Sequence, residues 1–214
     1  MNRVPHKPKK LMKTTRHLIV IAAALAWLLP INLHATTLHV WPDSPSPGGP
    51  YDQWTNAAHD IQTAVDAASP GDTVLATNGV YATGGLVTPG YTLSNRVTIT
   101  KLLSVQSVNG PAVTIILGQG PIGPGACRCV YVTNGATLAG FTLMGGATHG
   151  DGDPTYDQSG GGLLLDHGGV ASNCVLRANA AFGGAGGPAL WYGAGWWSIP
   201  QLMGIRRRGA EGPI

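Results

Sequence analysis

The sequence predicts an all-β fold, a parallel β-helix (solenoid) that follows one N-terminal capping α-helix. The first observation is a six-residue phrase, a short apolar run that ends in Asn-Gly or His-Gly. It recurs at offsets of 31, 25 and 33 residues, and the four copies begin at Val74, Val105, Val130 and Leu163. Asn-Gly and His-Gly pairs suit positive backbone φ, so each copy is interpreted as a strand that ends in a tight turn. Self-similarity at such a period is typical of solenoids.

The second observation is that residues 129–147 align over residues 162–180 without a gap. Apolar character is kept at the positions expected to point inward. The matched pairs are Val130/Leu163, Val132/Leu165, Leu138/Ala171, Phe141/Cys174 and Leu143/Leu176. Composition agrees, because charged residues make up only 11% while Gly (32) and Pro (16) are abundant. Regularly spaced Val, Ile and Leu exclude a disordered chain.

The N-terminal segment is predicted to be a secretory signal peptide over residues 1–35. A basic stretch precedes an apolar one at residues 18–29, and Leu33-His-Ala35 supplies a small-residue cleavage site after Ala35. The apolar stretch is short for a membrane-spanning helix, and Pro30 closes it. We therefore expect a secreted or cell-surface protein. The alternative is an uncleaved N-terminal anchor, in which case this segment alone contacts the membrane.

Removal of that segment changes the charge. It holds six of the thirteen Lys and Arg residues and no acidic residue, so the mature chain has a net charge of 7 − 10 = −3. No basic surface then remains for a phosphate backbone, and nucleic acid is excluded as a partner.

The elements follow in order. Residues 36–40 alternate as a first strand, and residues 54–68 place apolar residues on one helical face, with Thr55 or Asn56 as the N-cap and Pro70-Gly71 as the stop. A helix ahead of a solenoid covers the exposed apolar end of the first coil.

The coils are predicted at residues 72–81, 96–117, 129–144 and 162–177. Gly- and Pro-rich excursions separate them at residues 82–95, 118–126 and 147–161. Insertions of this kind usually gather on one face of a solenoid, often the binding face. The β-helix domain thus covers residues 36–180. Residues 181–214 show no Asn-Gly phrase and no strand alternation, so we interpret them as an irregular tail, truncated or frameshifted, or alternatively a genuine disordered tail.

Two segments carry a resemblance to a known family. The segment Ile61-Gln-Thr-Ala-Val-Asp-Ala-Ala-Ser-Pro-Gly-Asp-Thr-Val-Leu75, followed by Asn78-Gly-Val-Tyr81, resembles the cap and first coil of bacterial secreted right-handed parallel β-helix proteins of the pectin-lyase-like superfamily. Gly140-Phe-Thr-Leu143 and Ser172-Asn-Cys-Val-Leu176 resemble its repeat coils. The resemblance implies three parallel sheets with stacked side-chain ladders. It also implies a role with polysaccharides, because many members cleave or bind acidic glycans along a lateral groove and others act as adhesion modules.

One loop is a candidate metal site. Asp151, Asp153 and Asp157 place three carboxylates within seven residues, and calcium favours such oxygen-rich loops. The spacing departs from an EF-hand, since its sixth position is Tyr156 and its twelfth is Gly162. The loop is therefore either a calcium site or a plain solvated turn. Ca²⁺ is the one cofactor that the sequence suggests.

Three residues are candidates for substrate binding. Tyr131 is expected on the outer face, where its ring could stack on a sugar, because its neighbours Val130 and Val132 point inward. Arg96 and Lys101 flank one strand pair and could meet an acidic glycan. The alternative for these two is solvated edge charges that block strand addition.

Catalytic residues are not identifiable in this sequence. Asp166 and Arg177 are expected as isolated surface charges, His149 is a weak metal ligand, and His167 occupies the turn position that Asn takes in the other phrases. Cys127, Cys129 and Cys174 are expected to be apolar filler, with one disulfide as the alternative. The first functional hypothesis is a non-catalytic module for glycan binding, adhesion or scaffolding. The second is a fragment of a polysaccharide lyase or hydrolase whose active site lies outside this chain.

Overall fold

The computed structural model describes residues 35–183 and the backbone of residues 189–192. Within them the chain winds into a parallel β-solenoid of about four turns, so the predicted fold class is confirmed. The predicted signal segment up to His34 and residues 184–188 and 193–214 of the predicted tail lie outside the described residues. No helix in the described part of the chain is both long and apolar enough to span a bilayer.

The strands are short and come in a regular order. In chain order they are β1 (Thr37–Val40), β2 (Thr73–Ala76), β3 (Gly79–Tyr81), β4 (Leu86–Val87), β5 (Ser94–Ile99), β6 (Ser104–Ser107), β7 (Thr114–Leu117), β8 (Cys127–Val132), β9 (Thr137–Ala139), β10 (Thr142–Met144), β11 (Leu163–Asp166), β12 (Val170–Ser172), β13 (Val175–Arg177) and β14 (Ala189–Tyr192). Sheet A has the order β1-β2-β6-β9-β12, sheet B has β13-β10-β7-β3, and sheet C has β14-β11-β8-β5-β4. Each turn of the solenoid visits sheets A, B and C in that order.

The core consists of apolar ladders in register between successive coils. Because side chains alternate across a strand, the same inward position recurs in each coil and stacks on its predecessor. In sheet A the ladder is Leu38, Val74, Val105, Leu138 and Ala171. In sheet C one ladder is Ile99, Val132 and Leu165, and in sheet B one is Tyr81, Ile116, Leu143 and Leu176. The inward pairs predicted between residues 129–147 and 162–180 are confirmed.

The four phrases do not occupy equivalent positions in successive coils. Val74 pairs with Val105 in sheet A, and Val130 pairs with Leu163 in sheet C, so the offsets of 31 and 33 residues are genuine repeats. Val105, however, pairs with Leu138 rather than with Val130. The offset of 25 residues therefore relates two different sheets, and that part of the prediction is wrong. A coil holds more than one apolar strand that ends in a turn, so the phrase by itself does not identify the sheet.

The cap region contains a shorter helix than predicted. A 3₁₀ turn spans Trp54–Asn56, and the α-helix α1 spans Ile61–Ala67. The N-cap of α1 is Asp60, whose carboxylate accepts a 2.8 Å hydrogen bond from Thr63 N, so the prediction of Thr55 or Asn56 is wrong. The physical reason is that residue 57 is extended and residue 58 forms a bridge with Val40, which ends the first turn before α1 begins.

Helix α1 covers part of the open edge of sheet C. Its buried residues Ile61, Ala64 and Val65 join the main core. The Gln62 side chain accepts from Thr98 N at 2.7 Å and donates to Thr98 O at 3.3 Å, so it satisfies backbone groups of β5 that β4 leaves unpaired. The predicted capping role of this region is consistent with that contact.

All three insertions leave the solenoid at one corner, between sheet B and sheet C. The first insertion (residues 82–93) joins β3 to β5 and contains β4, the second (118–126) joins β7 to β8, and the third (145–162) joins β10 to β11. The prediction that the insertions gather on one face is confirmed. Each insertion contributes one residue to a small apolar cluster of Leu93, Ala126 and Ala147. The outward residues Thr98, Tyr131 and Leu164 of sheet C are buried.

Strand β14 adds one more strand to sheet C. It pairs in parallel with β11, with Leu163 opposite Ala189 and Asp166 opposite Tyr192. The expectation that strands end at residue 180 is therefore wrong. The segment Ala189-Leu-Trp-Tyr192 carries no Asn-Gly turn, which is the signal used to find the other strands.

Candidate functional site

A cleft of about 330 Å³ opens where the strands of sheet C end in turns. The register Ile99–Val132–Leu165 places the residues that follow these strands side by side across three coils. The first and third insertions contribute the remaining walls. The described lining residues are Pro89, Tyr91, Thr100, Tyr131, Thr133, Asn134, Tyr156, Asp166 and His167.

Asp166 lies at the base of this cleft and is only 3% exposed. Its Oδ2 atom accepts hydrogen bonds from the hydroxyls of Tyr131 at 3.0 Å and Tyr156 at 3.1 Å. Its Oδ1 atom accepts from the backbone N–H of His167 at 2.9 Å. The expectation of an isolated surface charge is wrong for Asp166, because the third insertion brings Tyr156 over the outer face of sheet C. Arg177 is exposed and does not line the cleft.

His167 combines a turn role with a polar contact. It adopts φ 39° and is followed by Gly168 at φ 80°, as Asn134 (φ 55°) is followed by Gly135 (φ 71°), so the predicted positive-φ turn is confirmed in these two phrases. The Nδ1 atom of His167 lies 2.7 Å from Asp166 Oδ1, and the side chain is 72% exposed. In the neutral imidazole a proton on Nδ1 leaves Nε2 as an acceptor.

Three tyrosines form one wall of the cleft. The Tyr91 and Tyr156 rings are stacked at 4.1 Å, and Tyr131 meets Tyr156 edge-on at 6.4 Å. Burial, together with the Asp166 carboxylate, raises the pKa of Tyr156 to about 12 and also raises the pKa of Tyr131. Burial and the nearby carboxylates of Asp153, Asp166 and Asp157 raise the pKa of Tyr91. All three hydroxyls therefore stay protonated at neutral pH.

Arg128, which the sequence reasoning missed, ties two insertions together. The side chain is fully buried and donates to Thr88 Oγ1, Asn95 Oδ1 and the carbonyl oxygens of Tyr156, Ser159 and Gly160, at 2.6–3.2 Å. Burial lowers its pKa to about 10, which leaves it charged at neutral pH. The available signal was an arginine between two cysteines in an apolar run, a position where a charge is buried only when it is fully hydrogen-bonded.

The candidate calcium loop is closed by backbone N–H groups. Asp157 is buried, its Oδ1 accepts from Thr92 N and Leu93 N at 2.9 Å each, and its Oδ2 accepts from Asp153 N at 3.0 Å. Asp153 accepts from the N–H groups of Thr155 and Tyr156.

Asp151, by contrast, is exposed. Among the described residues no group of three or more His, Cys, Asp or Glu side chains is arranged to hold a metal ion, so the structure does not bring the three carboxylates together as the calcium prediction expects. His149 contacts Thr92 Oγ1 through Nδ1 at 3.2 Å.

The structure places the three predicted substrate-binding residues at three different locations. Tyr131 lines the cleft, but the residue is only 6% exposed and Tyr156 of the third insertion lies against its ring, so the expectation of an exposed stacking platform is wrong. Arg96 donates to Leu117 O and Gly84 O at 2.8 Å each and lines a different cleft, of about 340 Å³, near Gln119 and Cys127.

Lys101 is likewise engaged with backbone. Its Nζ donates to Asp66 O at 2.9 Å and Ala68 O at 2.6 Å, at the C-terminal end of α1. The cleft of about 330 Å³ that Tyr91, Tyr131 and Tyr156 border is called the tyrosine cleft below. Neither Arg96 nor Lys101 lines it. Arg96 and Lys101 thus donate hydrogen bonds to backbone carbonyl oxygens.

Comparisons with protein-family models, curated proteins and solved structures returned no match to this chain. The parallel β-solenoid and the geometry of the cleft are therefore the basis of any functional assignment.

Proposed function

We propose that this chain is a secreted β-helix module of pectin-lyase-like type that binds carbohydrate in the tyrosine cleft without cleaving it. The observation that carries the proposal is the buried Asp166 carboxylate, held by the Tyr131 and Tyr156 hydroxyls at the base of a cleft bordered by Tyr91. An apolar wall with a few convergent polar groups is the usual form of a small-ligand site.

The chemistry of the cleft suits a sugar ring. Tyr91 is half-buried, with one ring face against Tyr156, and aromatic rings offer both apolar area and a polar tip for such contacts. Thr100, Thr133, Asn134 and His167 surround it with hydrogen-bonding groups. A sugar presents both apolar faces and hydroxyl groups, and this combination of an aromatic ring with hydrogen-bonding groups is complementary to it.

The carboxylate count favours binding over hydrolysis. Glycoside hydrolases generally use two carboxyl groups on either side of the scissile bond. Asp166 is the one carboxylate among the described residues that line the cleft, and both its oxygens already accept hydrogen bonds. The N-terminal signal pattern and the clustering of insertions on one face support an extracellular binding role.

A binding experiment on the full-length chain tests the proposal. We expect affinity electrophoresis or calorimetry against a panel of soluble polysaccharides to detect binding that Tyr91→Ala weakens by about tenfold or more. Tyr91 makes no hydrogen bond to Asp166, so this change leaves the base of the cleft intact. Trp54→Ala is the matched control, because it removes an aromatic ring at the cap.

Two results would overturn the proposal. One is an absence of binding across the panel, or binding that Tyr91→Ala and Trp54→Ala change equally. The other is release of unsaturated products or new reducing ends from any of the polymers, which would make the chain an enzyme.

A further inference from the structure

The polar atoms at the base of the cleft are mainly hydrogen-bond acceptors. A carboxylate only accepts, so the single protons of the Tyr131 and Tyr156 hydroxyls are directed at Asp166 Oδ2. The two hydroxyl oxygens can then only accept from a ligand. The Nδ1 atom of His167 lies 2.7 Å from Asp166 Oδ1, and when the ring is neutral with its proton on Nδ1, Nε2 is a further acceptor.

One amide donor of the lining is already in use, whereas the hydroxyls of Tyr91, Thr100 and Thr133 can either donate or accept. Asn134 donates through Nδ2 to Thr100 O at 2.9 Å. Arg128 lies beneath Tyr156 and directs its guanidinium to the insertions rather than to the cleft. A bound carboxylate would therefore find no Lys or Arg donor among the described residues that line the cleft.

The described part of the chain carries a net negative charge, and three of its carboxylates lie near the cleft. Residues 35–183 contain four Lys and Arg residues and nine Asp residues, a net charge of 4 − 9 = −5. Asp153 and Asp157 lie close enough to affect Tyr91, as Asp166 does. Of the four cations, Arg96 and Lys101 bind carbonyl groups elsewhere, Arg128 is buried, and Arg177 does not line the cleft.

Acceptors within a negative field favour one class of sugar. Sugar hydroxyls supply donors and carry no charge, whereas a uronate carboxylate brings further acceptors and a like charge. Resting on the carbohydrate-binding function proposed above, we propose that the tyrosine cleft selects uncharged, hydroxyl-rich sugars and rejects uronates. This differs from the acidic glycans that the family resemblance implies.

Matched polymers test the selectivity directly. Polygalacturonate and polymannuronate are compared with their carboxyl-reduced, uncharged forms, and with a panel of neutral glucans and mannans, in low salt. We expect Tyr91-dependent binding to at least one neutral polymer, and binding to either uronate weaker by about tenfold or more. Because like-charge repulsion is screened by salt, the difference between charged and uncharged forms should narrow at high ionic strength.

A pair of variants assigns the effect to the cleft. Asp166→Asn removes the charge at the base of the cleft and introduces donors, so uronate binding should strengthen relative to neutral binding. Asp151→Asn removes one exposed charge outside the lining and should change this ratio less. If Asp166→Asn does not fold, the salt series on the unaltered chain still tests whether like-charge repulsion causes the selectivity.

The outcomes separate the two proposals. Tyr91-dependent binding of a uronate as tight as, or tighter than, that of its neutral partner overturns the inference and leaves the carbohydrate site standing. Selectivity that neither salt nor Asp166→Asn alters also overturns it. An absence of Tyr91-dependent binding to every polymer overturns the proposed function and the inference together.

Discussion

The Oδ1 atom of Asp157 accepts a 2.9 Å hydrogen bond from the backbone nitrogen of Thr92, although 65 positions separate the two residues. The same oxygen accepts from Leu93 N at 2.9 Å. One carboxylate of the third insertion therefore holds the first insertion, and with it Tyr91, against the solenoid. The tyrosine cleft depends on this contact, because its walls come from both insertions.

Asp157→Asn should destabilise the protein and loosen the first insertion. The amide group has one acceptor oxygen, and its NH₂ group would face a backbone N–H, so at least one hydrogen bond to a charged acceptor is lost. We expect a loss of about 2 kcal/mol in the free energy of unfolding, measured by urea denaturation. Asp151→Asn is the control, because Asp151 is exposed. Equal stability of the two variants would contradict this role for Asp157.

Arg128→Met should be more disruptive. Methionine fills part of the volume but removes one donor from each of five acceptors, and the carbonyl oxygens of Tyr156, Ser159 and Gly160 lose the side-chain hydrogen bond that Arg128 supplies. A loss of about 3 kcal/mol or more is expected, together with faster amide exchange in the first and third insertions, residues 82–93 and 145–162. The control is Arg177→Met on an exposed arginine. Unchanged exchange in both insertions would show that Arg128 does not hold them.

The repeating part of the fold could be predicted from the sequence for a physical reason. The ladders of sheets A and C obey the alternation of a strand, and a tight turn demands particular residues, as at Asn134-Gly135. Insertions have no such period, so only their common corner was predictable. The identity of the sheet was not, since Val105 and Val130 begin similar phrases in different sheets.

The candidate site could be predicted only in part. Tyr131 was found because its outward position follows from alternation, yet its burial depends on Tyr156, which arrives from a loop without periodicity. The alternation also predicts that Asp166 points outward, which is correct. It does not predict that Asp166 is buried, because Tyr156 of the third insertion covers it. Contacts such as Arg128 with Asn95 join residues 33 positions apart, and no local pattern specifies them.

Acid should weaken the protein through its hydrogen-bonded aspartates. Burial opposes ionisation of Asp157 and Asp72, but backbone N–H donors outweigh it and lower the pKa of both carboxyl groups. The folded pKa is then below the unfolded value near 3.9, so this stabilisation is present above about pH 5 and is lost as the pH falls below about 4.

Urea unfolding at pH 7, 5, 4 and 3 measures this dependence. The unaltered chain should lose stability steeply between pH 5 and pH 3, and Asp157→Asn should lose less over the same interval. Parallel curves for the two proteins would show that Asp157 is not one of the groups responsible.

The cysteines should be unreactive in the folded protein. Cys127, Cys129 and Cys174 are free and buried, and burial raises the pKa of all three thiols, that of Cys129 to about 12. Because the thiolate is the reactive form, alkylation by iodoacetamide at pH 8 should be slow without denaturant and fast in urea. Mass spectrometry counts the modified thiols. Rapid modification of Cys129 in the folded state would contradict its burial.

His167 allows the turn and the cleft to be separated. Its φ of 39° lies in a region that Asn tolerates and β-branched residues avoid. His167→Asn should keep the free energy of unfolding within about 0.5 kcal/mol, whereas His167→Val should lower it by about 1–2 kcal/mol. Urea denaturation of the two variants measures both changes. If His167→Asn were as unstable as His167→Val, the contact of Nδ1 with Asp166 Oδ1, rather than the turn, would be the main contribution of this residue to stability.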